Sequence, residues 1–168
     1  ITWAPNVNAI VTGLGETKVL VVTDQILSGN NYLGNIYPTS VPKKVHNEIL
    51  HITIKVGNYL SKNGYRGLFG LDFLVNSSGR LVVVDLNPRR QGGYACNALV
   101  LKVAGIELTD LELACALGED ANKVPAYKNI SYPQVWAHSK IKPHDAGQRI
   151  KTEVGQGSVV MERIFKKG

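Results

Sequence analysis

The sequence predicts an α+β fold: a mainly antiparallel sheet with packed helices, followed by a small β extension. Three patterns point to it. Two short apolar runs rich in β-branched and aromatic residues, Leu68 to Val75 and Leu81 to Leu86, flank the turn signal Asn76-Ser77-Ser78-Gly79. A second pair, Val7 to Val11 and Val19 to Thr23, brackets Gly13-Leu14-Gly15-Glu16. Between the pairs, Val45, Ile49, Ile52, Val56 and Leu60 recur at helical spacing.

In chain order, the first pair reads as a hairpin. Gly13-x-Gly15 lacks the third glycine and the following helix of a dinucleotide fingerprint, and a P-loop pattern is absent, so these glycines serve a turn. Ser40 or Thr39 then caps a helix with Pro42 in its first turn; its apolar stripe faces the core, and Asn63-Gly64 ends it. The second pair follows as another hairpin. Thr109 or Asp110 opens a further helix through Leu117, stopped by Gly118, with Leu111, Leu113, Ala114, Cys115 and Leu117 forming an apolar pattern. From Glu119 the texture turns polar, then strand-like at 134–141 and 158–165, with turn signals at 143–147 and 155–157. The expected division is residues 1–118 as the main α+β unit and 119–168 as the β extension.

Composition excludes several classes. With 168 residues and 44% hydrophobic content the chain can bury a core. No apolar run approaches the ~20 residues of a membrane span, and no signal-peptide pattern opens the sequence. Cys96 and Cys115 give neither a disulfide framework nor metal-ligand spacing, which reads as reduced and cytoplasmic. The formal charge of +6 comes from 19 Lys and Arg against 13 Asp and Glu. These bases are scattered rather than set in a stripe with stacking aromatics, which argues against nucleic acid and suits a small anionic ligand. His46 and His51 are five apart and so not on one helix face. With His138 and His144, they read as structural or solvated groups rather than ligands.

The chemistry concentrates in the second hairpin. A two-residue loop at Ser78-Gly79 places Asp72 opposite Asp85, and alternation puts Asn87 on the same face. A four-residue loop keeps the three together; a slip by an odd number separates them. Two carboxylates side by side in an apolar sheet repel and lose solvation unless a cation or shared proton offsets this. Hard oxygen ligands beside substrate phosphates suit Mg²⁺. Arg89 and Arg90 follow Asn87-Pro88 directly, and their planar donor forks match phosphate or carboxylate oxygens. The bland alternative is a surface hairpin with solvated aspartates.

The pattern G-(L/V)-D-F, hairpin, acidic-x-N-P-R resembles the C-terminal half of an ATP-grasp domain, as in carboxylate–amine ligases, carbamoyl-phosphate synthetases, D-alanine ligases and biotin carboxylases. Asp24-Gln25 and Gly34-Asn35-Ile36-Tyr37-Pro38 with the long helix resemble what precedes that hairpin in the family, and Ala98 to Gly118 its closing segment. The resemblance covers roughly residues 5 to 118. It implies Asp72, Asp85 and Asn87 as metal ligands that bind ATP through Mg²⁺, with Mn²⁺ as an alternative ion. Arg89 becomes the catalytic arginine that meets the transferred phosphate. Asp85 is one methylene shorter than the family's usual glutamate.

The implied activity is ligation: a substrate carboxylate attacks the γ-phosphorus, and an amine or similar nucleophile displaces phosphate from the acyl-phosphate. The loop Gln91-Gly92-Gly93-Tyr94 approaches ligand with its backbone. The phosphate-gripping lysines of the family's N-terminal half find no match here. The chain therefore reads as part of a larger protein, completed by that half or by a partner subunit and not active alone. The alternative is a non-catalytic nucleotide-binding or subunit-interaction module derived from the same fold.

Overall fold

The computed structural model describes residues 2–29, 31–119 and 136–139. Its strands are β1 (Pro5–Val11), β2 (Thr17–Ser28), β3 (Asn31–Tyr37), β4 (Gly67–Val75), β5 (Leu81–Asn87) and β6 (Trp136–Ser139). The helices are α1 (Lys43–Lys62), α2 (Tyr94–Val103) and α3 (Leu108–Ala116). The strands form one six-stranded sheet in the order β5-β4-β1-β2-β3-β6. Every neighbouring pair is antiparallel.

Alternation along the strands builds two different faces. On one, Val7, Val19, Val22, Leu71, Phe73 and Val75 pack with Val45 and Ile49 of α1. Ala9, Val11 and Phe69 extend that layer beside Val56 and Leu60. Phe69 and Phe73 are almost fully buried, and each such side chain contributes about 1.5–3 kcal/mol. On the other face, Ile10, Val21 and Leu68 meet Val100 and Leu101 of α2 and Leu108 and Leu111 of α3.

That second face changes character along its length. On β1 it runs from Ile10 to Asn8 and Asn6, and on β4 from Leu68 through Gly70 to Asp72. The apolar end is roofed by α2 and α3; the polar end forms the wall of a cavity.

Several details differ from the sequence expectation. Thr39 and Ser40 do not cap α1, whose N-cap is Pro42 without a side-chain hydrogen bond. Their hydroxyls donate instead to Asp24, at 2.6 Å each, and the Ser40 amide adds a third bond at 2.7 Å. A buried carboxylate accepting three donors wins over a solvated helix end. The last helix starts at Leu108 with Glu107 as N-cap, so Thr109 and Asp110 lie within its first turn. Neither β3 nor α2 stands out in the sequence pattern.

The strand-like run at 134–141 contains β6, which extends the main sheet beside β3. The run at 158–165, the turns at 143–147 and 155–157, and His144 lie outside the described residues. Among the described residues no helix is long and apolar enough to cross a membrane.

Candidate functional site

The β4–β5 hairpin sets the site. Val75, Leu74 and Phe73 pair with Leu81, Val82 and Val83; the ladder then shifts, and Asp72, Leu71 and Gly70 pair with Asp85, Leu86 and Asn87. The turn is not the two-residue Ser78-Gly79 loop. It spans Asn76 to Arg80, closed by the Asn76 amide on the Arg80 carbonyl at 3.2 Å. The Asn76 side-chain oxygen accepts from the amides of Ser78 and Arg80, and Gly79 takes a φ of 79° that suits glycine.

Asp72, Asp85, Asn87 and Arg89 come together in the structure. Asn87 Nδ2 donates to Asp85 Oδ2 at 2.9 Å and approaches Asp72 Oδ2 at 3.4 Å, while Arg89 donates to Asn87 Oδ1 at 2.8 Å. Carboxylates only accept and guanidinium only donates, so this amide orientation follows from the chemistry. Burial pushes the Asp72 carboxyl above its ordinary range, and the Asp85 charge adds to this. Hydrogen bonds from Asn6 and Gln25, with the Arg89 charge, act in the opposite direction.

Arg90 leaves the group. It pairs with Glu112 of α3 and stacks over the Tyr94 ring at 4.5 Å, so only Arg89 of the two arginines lines the cavity. Arg90 instead ties the segment after β5 to the helical layer.

The cavity, of about 440 Å³, has both charged and apolar lining. Leu27, Tyr32 and Leu74 line it beside the charged residues. Burial, with the Cys96 and Asp72 charges, pushes the Tyr32 hydroxyl up to about 12, and it bonds to Asn35 Oδ1 as a neutral group. Gln91, Gly92 and Gly93 line it as well, leading into α2, whose first residue is Tyr94. This segment lies flat on the sheet because Gly70 has no side chain: a Cβ there would sit 2.0 Å from the Gln91 amide.

Sequence reasoning missed a set of amides. Asn6, Gln25, Asn35 and Gln91 all line the cavity, and Asn6 and Asn8 are buried on β1. The signal was present: asparagines at alternate positions of an otherwise apolar strand, Asn6-Val7-Asn8-Ala9-Ile10-Val11. Gln91 Nε2 is buried without a partner among the described residues, as are both polar atoms of Asn97 in the first turns of α2.

Cys96 is buried beside this region, and burial pushes its thiol up to about 11, which removes it as a nucleophile. Cys115, on α3, is buried in the core, as expected. Neither is in a disulfide. Burial lowers His46 from its usual value, and His51 is exposed.

Among the described residues no three His, Cys, Asp or Glu side chains converge. The donor set is instead two carboxylates and an amide. It fits a hard divalent cation: Asn87 Nδ2, a positive dipole end, already lies between the two Oδ2 atoms, and its amide can turn to offer oxygen. The unpaired Gln91 Nε2 adds a donor next to the same cavity.

The chain resembles several known proteins. The L-propargylglycine–L-glutamate ligase of Streptantibioticus cattleyicolor is 34% identical over 92 residues, covering 55% of this chain and 19% of that enzyme. The [butirosin acyl-carrier protein]–L-glutamate ligase of Niallia circulans is 28% identical over 76 residues, covering 44% and 18%. The chain thus spans about a fifth of the length of these curated relatives. Among solved structures, biotin carboxylase from Campylobacter jejuni, in a complex with a β,γ-ATP ligand, superposes with a TM-score of 0.64 at 19% identity, over 80% of this chain and 29% of that one. N5-carboxyaminoimidazole synthetase from Staphylococcus aureus, complexed with ADP, gives 0.56 at 13% identity, over 74% and 31%. Residues 6–93, from the first buried amide of β1 to the glycine preceding α2, match the sequence model of the ATP-grasp domain, and the chain belongs to the ATP-grasp family.

Proposed function

We propose that this chain supplies the metal-binding half of an ATP-dependent ligase that activates a carboxylate as an acyl-phosphate for attack by an amine. The observation that carries the reading is the convergence of Asp72, Asp85, Asn87 and Arg89 on one wall of a cavity. Mg²⁺, or Mn²⁺ in its place, would be held by Asp72, Asp85 and Asn87, and supplies charge neutralisation at the β- and γ-phosphates.

The remaining steps belong to the chain itself. Arg89 turns its guanidinium to the transferred phosphoryl group, whose charge it steadies through the step. Leu27 and Leu74, both lining the cavity, offer apolar surface to the nucleotide base. The backbone of Gln91 to Gly93, lying close on the sheet, faces the carboxylate being activated. The protein contributes position and electrostatics rather than a covalent nucleophile.

Residues 1–118 would form the C-terminal ATP-grasp subdomain, completed by an N-terminal half or a partner subunit that grips the nucleotide from the opposite side. The substrates would be a small carboxylic acid and an amine. Both ligase relatives carry L-glutamate in their names, which supports an amino acid as one of the two. Reliance on ATP and the free cysteines support a cytoplasmic setting for the reaction.

The test is Asp85→Asn in the complete protein. It should abolish ATP-dependent ligation and phosphate release while the thermal midpoint without ligand is kept. Near-normal turnover by that variant would sink the assignment.

A further inference from the structure

The two oxygens of Asp72 have different surroundings. Oδ1 accepts from Asn6 Nδ2 at 2.5 Å and from Gln25 Nε2 at 2.8 Å. Among the described residues Oδ2 has only the long 3.4 Å approach of Asn87 Nδ2, the group that also bonds Asp85 Oδ2. One oxygen is filled by protein donors; the other turns toward Asp85.

We propose that Asn6 and Gln25 are positioning residues that cover Oδ1 of Asp72, so that Asp72 meets the divalent cation through Oδ2 alone. This rests on the metal-site reading above and assigns to it two residues outside the ligand set. Mg²⁺ demands a near-octahedral shell and keeps places for waters and substrate phosphates. A carboxylate that bound with both oxygens would take two of those places. Two amide donors fixed on one oxygen prevent this and hold the carboxylate rotamer.

The clamp is itself held. Asn6 is buried, its Oδ1 accepts from Asn8 Nδ2 at 2.9 Å, and its second amide hydrogen goes to Gln91 Oε1 at 2.9 Å. Its orientation is therefore fixed from both ends. Asn6 is the register partner of Asp72 across β1 and β4, and Gln25 reaches in from β2. The Asn6–Gln91 bond also links the metal carboxylate to the segment proposed to face the substrate. A shift at one would be felt at the other.

The test uses the complete protein with Mn²⁺ and ADP as probes. Asn6→Leu and Gln25→Met keep side-chain shape and remove the donor. The expected result is a Mn²⁺ dissociation constant raised about tenfold or more, the usual consequence of losing a group that orients a metal ligand. The Mn²⁺ electron paramagnetic resonance line shape should alter as the second Asp72 oxygen becomes available. A lower thermal midpoint with unchanged Mn²⁺ affinity and spectrum would reduce both residues to structural ones and overturn the inference. Gln25 is the less buried of the two and carries the test where Asn6→Leu does not fold. Failure of the wild-type protein to bind Mn²⁺ with ADP would overturn the metal-site reading itself, and this inference with it.

Discussion

Asp72 and Asp85 face each other because two one-residue offsets in the β4–β5 hairpin cancel. The turn leaves three residues between Asn76 and Arg80, and its register, carried on unbroken, would pair Asp72 with Val84. Asp85 would then fall on the α1 face, away from the cavity. The ladder passes over Val84 instead, a bulge of one residue, and brings Asp85 opposite Asp72 and Asn87 opposite Gly70. Deleting Val84 should therefore be tolerated at the site, since Asp85 then follows Val83 in regular register. The stabilisation by Mg-ATP, read as a rise in thermal midpoint of the complete protein, should persist, at about 2.7 kcal/mol when ligand is a hundredfold above its dissociation constant. Its loss would show that the bulge shapes the site beyond setting register.

Asp72 is held at a cost to the protein without ligand. Burial raises its carboxyl, and Asp85 raises it further. The folded state therefore binds the proton more tightly than the unfolded one. Stability from this group is complete below the ordinary value of 3.8 and is lost as pH rises through the raised value. At pH 7 without metal, Asp72→Asn should raise the thermal midpoint, and the difference from wild type should shrink on acidification. The same variant should lose its response to Mg²⁺. An equal or lower midpoint at pH 7 would mean that the hydrogen bonds from Asn6 and Gln25 outweigh burial and repulsion.

What was legible in the sequence follows from how local each signal is. The β4–β5 strands announce themselves because they are β-branched and apolar, and Asp72, Asp85 and Asn87 share a face under two of the three loop lengths considered. The structure adopts neither of those loops: an odd turn and an unforeseen bulge give the same outcome. β3 was hidden because Asn31, Gly34 and Asn35 are poor strand formers, held in place by pairing with β2 and β6. α2 was hidden because it follows two glycines and no side chain caps it. Arg90 was grouped with Arg89 by adjacency alone, and its partner Glu112 lies 22 residues on, beyond any local pattern. The amides Asn6, Gln25, Asn35 and Gln91 come from four separate segments and become a set only in the fold.

Gly57 tests how closely α1 lies on the sheet. It is a buried helical residue, and a Cβ there would stand 2.2 Å from Thr17 Cγ2 and 2.9 Å from Phe69 Cζ. Alanine in a helix interior normally gains about 1 kcal/mol over glycine. Here both neighbours must move, and Phe69 is fully buried. Overpacking of this kind costs about 1–3 kcal/mol, so Gly57→Ala should give a net loss in urea unfolding with an unchanged slope. A gain in stability would mean that the helix can slide outward without loss of packing.

The thiols give a prediction with a defined pH window. Burial pushes Cys96 up to about 11 from its ordinary 9.0, and Cys115 is raised by the same cause. The charged form is disfavoured in the fold, so stability from Cys96 is complete below pH 9 and is lost as pH rises through about 11. Reactivity follows the thiolate, so both cysteines should resist a disulfide reagent at pH 8 in the native protein and react once it is unfolded. Alkaline unfolding should set in within that window. Replacing Cys96 by Ala removes its share of the pH dependence, at the expense of a cavity beside Tyr32 and a loss of about 1–2 kcal/mol at pH 7. Rapid modification of Cys96 at pH 8 in the folded protein would show instead that the layer beneath α2 opens readily, and that the wall carrying Gln91 to Gly93 moves with it.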